Sequence, residues 1–201
     1  LEKVNVRFAI NLMEYAYLAG VKRYICAGTC LEYGSEANNW DFIPPSAPLR
    51  PISPYSASKA AAFFLLNTFA KEKEIEFFYG RIFYAFGDGQ NVNNFLPSLK
   101  AAAIKGEDFN ISEGMQVLDF IPVAKVVKHL RIAVERDDVF NKKPLIVNIG
   151  EGKGIRLLDF AISQWKENGA SGQLKIGKYK KQSNELKRMV ANTINLEVDK
   201  S

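Results

Sequence analysis

Ser53-Pro54-Tyr55-Ser56-Ala57-Ser58-Lys59 is the stretch from which the rest of the chain can be read. Ser53 can cap a helix, and Pro54 suits the first helical position, where its missing N–H would have been unpaired anyway. The continuation Ala60-Ala61-Ala62-Phe63-Phe64-Leu65-Leu66 is apolar nearly all round, so a helix over 54–73 is predicted to cover a sheet with one face. Tyr55 and Lys59 fall four residues apart, on one side of that helix. A lysine ammonium beside a phenol favours the phenolate, which would give a proton donor and acceptor usable near neutral pH. Taken alone, the pair is equally a Tyr and a Lys on an ordinary amphipathic helix.

Working outward, residues 2–19 carry apolar side chains on more than one face, and Gly20 stops that helix. Tyr24-Ile25-Cys26-Ala27 is a short buried strand that runs into the small residues Gly28-Thr29-Cys30. The prolines at 44, 45, 48, 51 and 54 make 35–54 a loop. Strands follow at 76–83 and 144–149, and helices at 95–104, 123–134 and 157–165. Alternating strands and helices imply an α/β fold with a parallel sheet covered on both faces. The second apolar face of helices 2–19 and 54–73 is either buried inside the monomer or covered by a symmetry mate, as a four-helix homodimer interface.

Composition excludes several classes. No apolar run approaches the ~20 residues that span a membrane. Cys26 and Cys30 make no disulfide framework, which points to a reducing cytoplasm. The net charge of +5 gathers late, at Lys175, Lys178, Lys180, Lys181, Lys187 and Arg188. Only Tyr179 is interleaved with it, so a solvated basic face or an anion-binding wall is expected before nucleic acid. His129 has no second His with which to hold a metal, Cys30 has no evident base, and Trp40 and Trp165 read as core or loop anchors. Gly150-Glu151-Gly152-Lys153-Gly154 follows a strand, but its spacing is not G-x-G-x-x-G, and a flexible turn is the better reading.

With these pieces in place the chain resembles the extended short-chain dehydrogenase/reductases, in particular their nucleotide-sugar epimerase, dehydratase and 4-ketoreductase group. The motifs fall in the family's order: Asn5-Val6 with Asn11-Leu12-Met13-Glu14, then Ala27-Gly28-Thr29-Cys30-Leu31-Glu32-Tyr33-Gly34, then Ser53-Pro54-Tyr55 to Lys59. Arg81-Ile82-Phe83, Gly87 to Gln90, Asn94-Phe95-Leu96-Pro97, Asp119-Phe120 and Val147-Asn148-Ile149-Gly150 follow. Members begin with a strand and a Gly-rich phosphate loop, and the sequence has neither, so it is expected to be a fragment. By this resemblance residues 1–90 form the C-terminal half of an NAD(P)-binding Rossmann domain. Residues 91–201 are mainly a smaller substrate-binding lobe, with about 120–150 returning to the Rossmann sheet.

The resemblance implies NAD or NADP as cofactor, a nucleotide-sugar substrate, no nucleic-acid or membrane partner, and a homodimer through helices 2–19 and 54–73. It makes Tyr55 the general acid/base at the sugar C4 oxygen, Lys59 its partner and a ribose ligand, and Thr29 a second hydrogen-bonder to that oxygen. Asn5 and Phe83 are expected on the cofactor side, and Tyr84, Asn94, Phe95, Lys180 and Arg188 on the substrate side. Cys30 and Leu31 stand where dehydratases carry an acidic pair, which favours reductase or epimerase chemistry of deoxysugar or surface-polysaccharide biosynthesis. Leu118 stands where many members have a diphosphate-binding Arg, and Lys180 or Arg188 is expected to compensate. A catalytically silent binding or scaffold protein is the alternative.

Overall fold

The structure is a computed structural model that describes residues 1–138, 140, 143–178 and 186–193. In chain order, a π-helical stretch Glu2–Phe8 runs into α1 (Ala9–Leu18), followed by β1 (Arg23–Thr29), 3₁₀ turns at Cys30–Glu32 and Ser35–Asn39, and α2 (Pro54–Glu72). Next come β2 (Glu76–Ile82), β3 (Tyr84–Phe86), α3 (Phe95–Lys105), β4 (Phe109–Ile111), β5 (Val117–Leu118), β6 (Phe120–Pro122) and α4 (Val123–Glu135). The described chain closes with β7 (Leu145–Ile149), β8 (Ile155–Arg156), α5 (Leu157–Glu167), β9 (Leu174–Ile176) and β10 (Arg188–Met189).

The main sheet is parallel, in the order β1-β2-β7, with Ala27 opposite Gly80 and Gly80 opposite Val147. Strand alternation assigns its faces. Phe77 and Tyr79 point to one side, against Met13 of α1 and Phe63 and Leu66 of α2. Phe78 and Val147 point to the other, against Val126 and Ala133 of α4. Each buried ring contributes about 1.5–3 kcal/mol of apolar transfer, enough to fix the register of the sheet.

Beyond the C-terminal ends of these strands lies a second body of short pairings, β3 with β6, β4 with β9, and β10-β5-β8. Its core joins Leu96 and Leu99 of α3 and Phe160 and Trp165 of α5 to Leu118, Phe120 and Met189. The segment 186–193 threads this body as a strap. Asp119 fastens it: the buried carboxylate accepts N–H bonds from Glu151, Gly152 and Ala191. Burial nevertheless pushes that carboxyl above its ordinary value.

Two sequence expectations are corrected here. The helix expected over 2–19 is not uniformly α, because its first seven residues widen into π-helix. Nor does the monomer bury a second face of it. Met13 is sealed, whereas Val4, Phe8, Leu12, Tyr15 and Leu18 are exposed, as are Phe64 and Leu65 on α2. The turn at 150–154 is irregular backbone leading into β8, and Trp165 is a core residue while Trp40 stays 39% exposed.

Candidate active site

In a parallel α/β sheet the carboxyl ends of the strands are where side chains from neighbouring loops converge. β1 ends there at Thr29. The next three residues curl into a 3₁₀ turn held by a capping box: Leu31 N–H donates to Thr29 Oγ1 (3.3 Å), and Thr29 N–H donates to Glu32 Oε1 (2.8 Å). Gly28 is required at this bend, since a Cβ on it would sit 2.3 Å from the Tyr79 ring and 2.9 Å from Glu32 Oε1.

α2 begins over the same end. Ser53 and Ser56 cap it reciprocally, Ser56 N–H donating to Ser53 Oγ (3.2 Å) and Ser53 N–H to Ser56 Oγ (3.0 Å). One turn on, Ser58 Oγ donates to Tyr55 O (2.8 Å) and accepts from Asn5 Nδ2 (2.9 Å). The π-helical stretch thus places Asn5 against α2, beside the residue that precedes Lys59. Lys59 Nζ donates to Ala27 O of β1 (2.7 Å), pinning helix to strand.

Tyr55 is 41% exposed. Its phenol is pushed above the ordinary tyrosine value, by burial first and then by the Glu32 carboxylate and Cys30. The expectation of a lysine-lowered phenol is therefore corrected: the ammonium is engaged with the strand, and the dominant charge at the phenol is Glu32. Tyr55 stands in the first turn of α2, the helix that packs on the Cys30–Glu32 turn next to Thr29. The Lys59 ammonium in turn opposes the rise that burial imposes on the Cys26 thiol. Cys30 is sealed and its thiol pushed up by burial, an inert packing residue.

The other expected residues are spread more widely. Phe83 is 3% exposed and packs in the second body's core. Tyr84 follows on β3 with its ring 6.0 Å from Phe120. Asn94 is exposed at the N-cap of α3 with no side-chain capping bond, and Phe95 packs edge-on to Phe109. Leu118 is buried and paired across from Ile155 and Met189. Arg188 lies on β10, Nε donating to Asp41 O (2.8 Å) and its guanidinium 5.7 Å from the Phe42 ring. Lys180 lies outside the described residues.

Sequence reasoning assigned no role to Glu32, Arg81, Tyr33 and Asn148, which form the buried polar centre behind Thr29. Arg81 Nε bonds Glu32 Oε2 (2.9 Å), and Tyr79 O–H donates to Glu32 Oε1 (2.8 Å). The Thr29-x-x-Glu32 spacing was the available signal, being that of a capping box. Among the described residues no three His, Cys, Asp or Glu side chains gather into a metal site, and no helix is long and apolar enough to cross a membrane.

A parallel sheet whose carboxyl edge carries a Thr turn beneath a Tyr/Lys helix is a Rossmann-like α/β arrangement. The chain belongs to the NAD dependent epimerase/dehydratase family, whose model matches residues 1–150. It is 27% identical over 149 residues to the low-salt glycan biosynthesis protein Agl12 of Haloferax volcanii, covering 74% of this chain and 46% of that one. It is also 27% identical over 191 residues to a UDP-glucose 4-epimerase of Erwinia amylovora, covering 83% and 55%. The chain thus spans about half the length of the curated relatives it matches.

Among solved structures, MoeE5 in complex with UDP-glucuronic acid and NAD superposes with a TM-score of 0.82 at 26% identity, over 96% of this chain and 62% of that one. The UDP-N-acetylglucosamine 4-epimerase of Methanobrevibacter ruminantium, with UDP-N-acetylmuramic acid, shares the fold at a TM-score of 0.85 and 23% identity, over 96% and 61%.

Proposed function

We propose that this chain carries the proton-transfer and substrate-side machinery of an NAD(P)-dependent nucleotide-sugar 4-ketoreductase or epimerase of deoxysugar or surface-polysaccharide biosynthesis. One observation carries the reading. Lys59 is bonded to the strand that ends in Thr29, while Tyr55 stands in the first turn of the same helix, which packs on the Cys30–Glu32 turn after that strand. The curated relatives named for glycan biosynthesis and 4-epimerisation support the substrate class.

The residues fit the nicotinamide-ribose end of a dinucleotide. Lys59, half-buried over the end of β1, and the partly exposed Tyr55 form an open ledge of donors suited to ribose hydroxyls. A nicotinamide held there by Lys59 and Tyr55 would supply hydride chemistry at the sugar C4. As the C4=O bond of a keto sugar is reduced to C4–O–H, Tyr55 gives its phenolic proton to the oxygen, and in the reverse direction takes it back. Glu32 and burial keep the phenol protonated, the form that donates. Thr29 Oγ1 accepts from Leu31 N–H, which leaves its O–H as the donor that would turn to steady the C4 oxygen.

On the substrate side, Asn94 and Phe95 at the start of α3, Tyr84 on β3, and Arg188 with Lys180 are assigned to the nucleotide sugar. Arg188 takes the diphosphate role for which the buried Leu118 is unsuited. The exposed Phe8, Leu12 and Tyr15, with Phe64 and Leu65 of α2, are assigned to a homodimer interface. The test is oxidation of NADH or NADPH against a panel of 4-keto-6-deoxy nucleotide sugars, alongside a 4-epimerisation assay on UDP-sugars. Turnover in either that Tyr55→Phe abolishes supports the reading. Turnover unchanged in Tyr55→Phe, or none with any sugar and either cofactor, overturns it.

A further inference from the structure

The catalytic turn and the strap that carries Arg188 belong to different parts of the fold, yet a single buried chain of polar groups joins them. It starts at Thr29, whose N–H donates to Glu32 Oε1, and passes through Glu32 Oε2 to Arg81 Nε (2.9 Å). Arg81 Nη1 donates to Tyr33 Oη (3.3 Å) and to Pro45 O (2.9 Å). Tyr33 O–H donates to Asn148 Oδ1 (2.6 Å). Asn148 Nδ2 then donates to Ile43 O (2.6 Å) and Asn192 O (3.3 Å), and Ile43 brackets the strap, its N–H bonding Val190 O and its O accepting from Asn192 N–H. Glu32, Arg81, Tyr33 and Asn148 are each no more than 1% exposed.

Apolar residues of similar volume would fill this space at comparable stability, so the charged pair is not explained by stability alone. What the polar chain adds is direction: every bond in it is angle-dependent and shares a group with the next, so a shift at one end misplaces the next bond. The hydroxyl of Tyr33 is the joint. On one side of it lie Arg81 and the Thr29 turn, on the other Asn148 and the strap, and among these groups only that oxygen bonds both Arg81 and Asn148.

We infer that Tyr33 is a positioning residue whose hydroxyl couples the Thr29 turn to the strap holding Arg188, so that the C4 end and the diphosphate end of a nucleotide sugar are held at a fixed separation. The substrate assignment rests on the function proposed above; the mechanical coupling does not.

Tyr33→Phe cuts the joint alone, because the ring keeps its place 5.0 Å from the Arg81 guanidinium. Amide hydrogen exchange on the full chain reads the result without cofactor or substrate, with the exposed Ile104→Val on α3 as control. Exchange about tenfold faster at both the Thr29 amide and the Ala191 and Asn192 amides, with α4 and α5 unchanged, is expected. Faster exchange at only one of the two ends, or a uniform rise across all helices, overturns the coupling. In an active enzyme the same variant is expected to raise KM for the nucleotide sugar several-fold with kcat less affected, and to leave KM for the cofactor unchanged. If the exchange effect appears and this split does not, the coupling stands and the substrate assignment falls.

Discussion

The guanidinium of Arg81 and the carboxylate of Glu32 meet at 2.9 Å with 1% and 0% of their side chains exposed. Glu32 holds four groups at once: Thr29 N–H, Tyr79 O–H and Arg81, and through its charge the Tyr55 phenol. Removing one partner strands the other charge in the core. Glu32→Ala and Arg81→Ala are each expected to cost about 3–5 kcal/mol in urea unfolding, whereas the paired replacement Glu32→Leu with Arg81→Met costs much less than the sum. Additive losses would mean that the two charges do not act as a pair.

Tyr55 is expected to separate stability from chemistry. It is 41% exposed, and its hydroxyl makes no hydrogen bond among the described residues, so Tyr55→Phe should leave the urea midpoint within experimental scatter. Turnover should fall about 10²–10⁴-fold, the contribution of a positioned general acid. Lys59→Met removes the bond to Ala27 O and is expected to lower both.

The alkaline limb of the stability curve follows from three buried acids. Burial pushes the Cys30 thiol and the Tyr79 and Tyr33 phenols above their ordinary values of 9.0 for Cys and 10.0 for Tyr. Each is then protonated in the folded state at a pH where the unfolded chain has lost the proton. Their contribution is complete below the unfolded values and is lost as pH rises toward the folded ones, at about 1.4 kcal/mol per pH unit per group. Unfolding free energy measured from pH 8 to 11 should fall from about pH 9, and Cys30→Ala should reduce the earliest part of the slope, which the Cys26 thiol shares. A flat curve over that range contradicts the burial of these groups.

How much of this was legible depended on whether a residue's partner lay near it in sequence. The Ser53 cap, Pro54 at the first helical position and the run to Leu66 defined α2 because all three act within one helix. The Thr29 and Glu32 capping box had a local spacing too, although the sequence reading gave Glu32 no role. Arg81 is a strand residue whose partner lies 49 positions earlier, and no local pattern marks it as buried. The two-residue strands β5, β8 and β10 are too short to show alternation and exist only because tertiary packing aligns them. The π-helical turn at Glu2–Phe8 has the composition of ordinary helix. Its effect, placing Asn5 on Ser58, depends on a neighbour 53 residues away.

Leu118 tests whether the substrate side can be restored to the family pattern by one change. Its side chain is 5% exposed among Phe120, Phe160 and Met189, with Ile155 opposite. Leu118→Arg would bury a guanidinium in an apolar cluster, and a loss of about 3 kcal/mol or more in thermal or urea unfolding is expected. Arg188→Ala should cost little stability, because its Asp41 partner is solvent-exposed, yet weaken nucleotide-sugar binding. A well-folded Leu118→Arg with improved affinity for UDP would show that this position faces the ligand.

The last prediction concerns the apolar face that the monomer leaves open. Phe8 is 62% exposed, Tyr15 70% and Phe64 55%, on helices whose other faces are anchored by Met13, Phe63 and Leu66. Large aromatics on two adjacent helices are more than a scatter of single exposed residues, and two copies related by a two-fold axis would bring four helices together. Phe8→Glu and Phe64→Glu each place a charge in that seam without touching the anchored face. Sedimentation should therefore show a dimer for the parent chain and a monomer for the double variant, with far-UV circular dichroism unchanged. A parent chain that sediments as a monomer at tens of micromolar assigns these residues to some other cover and removes the dimer from the proposal.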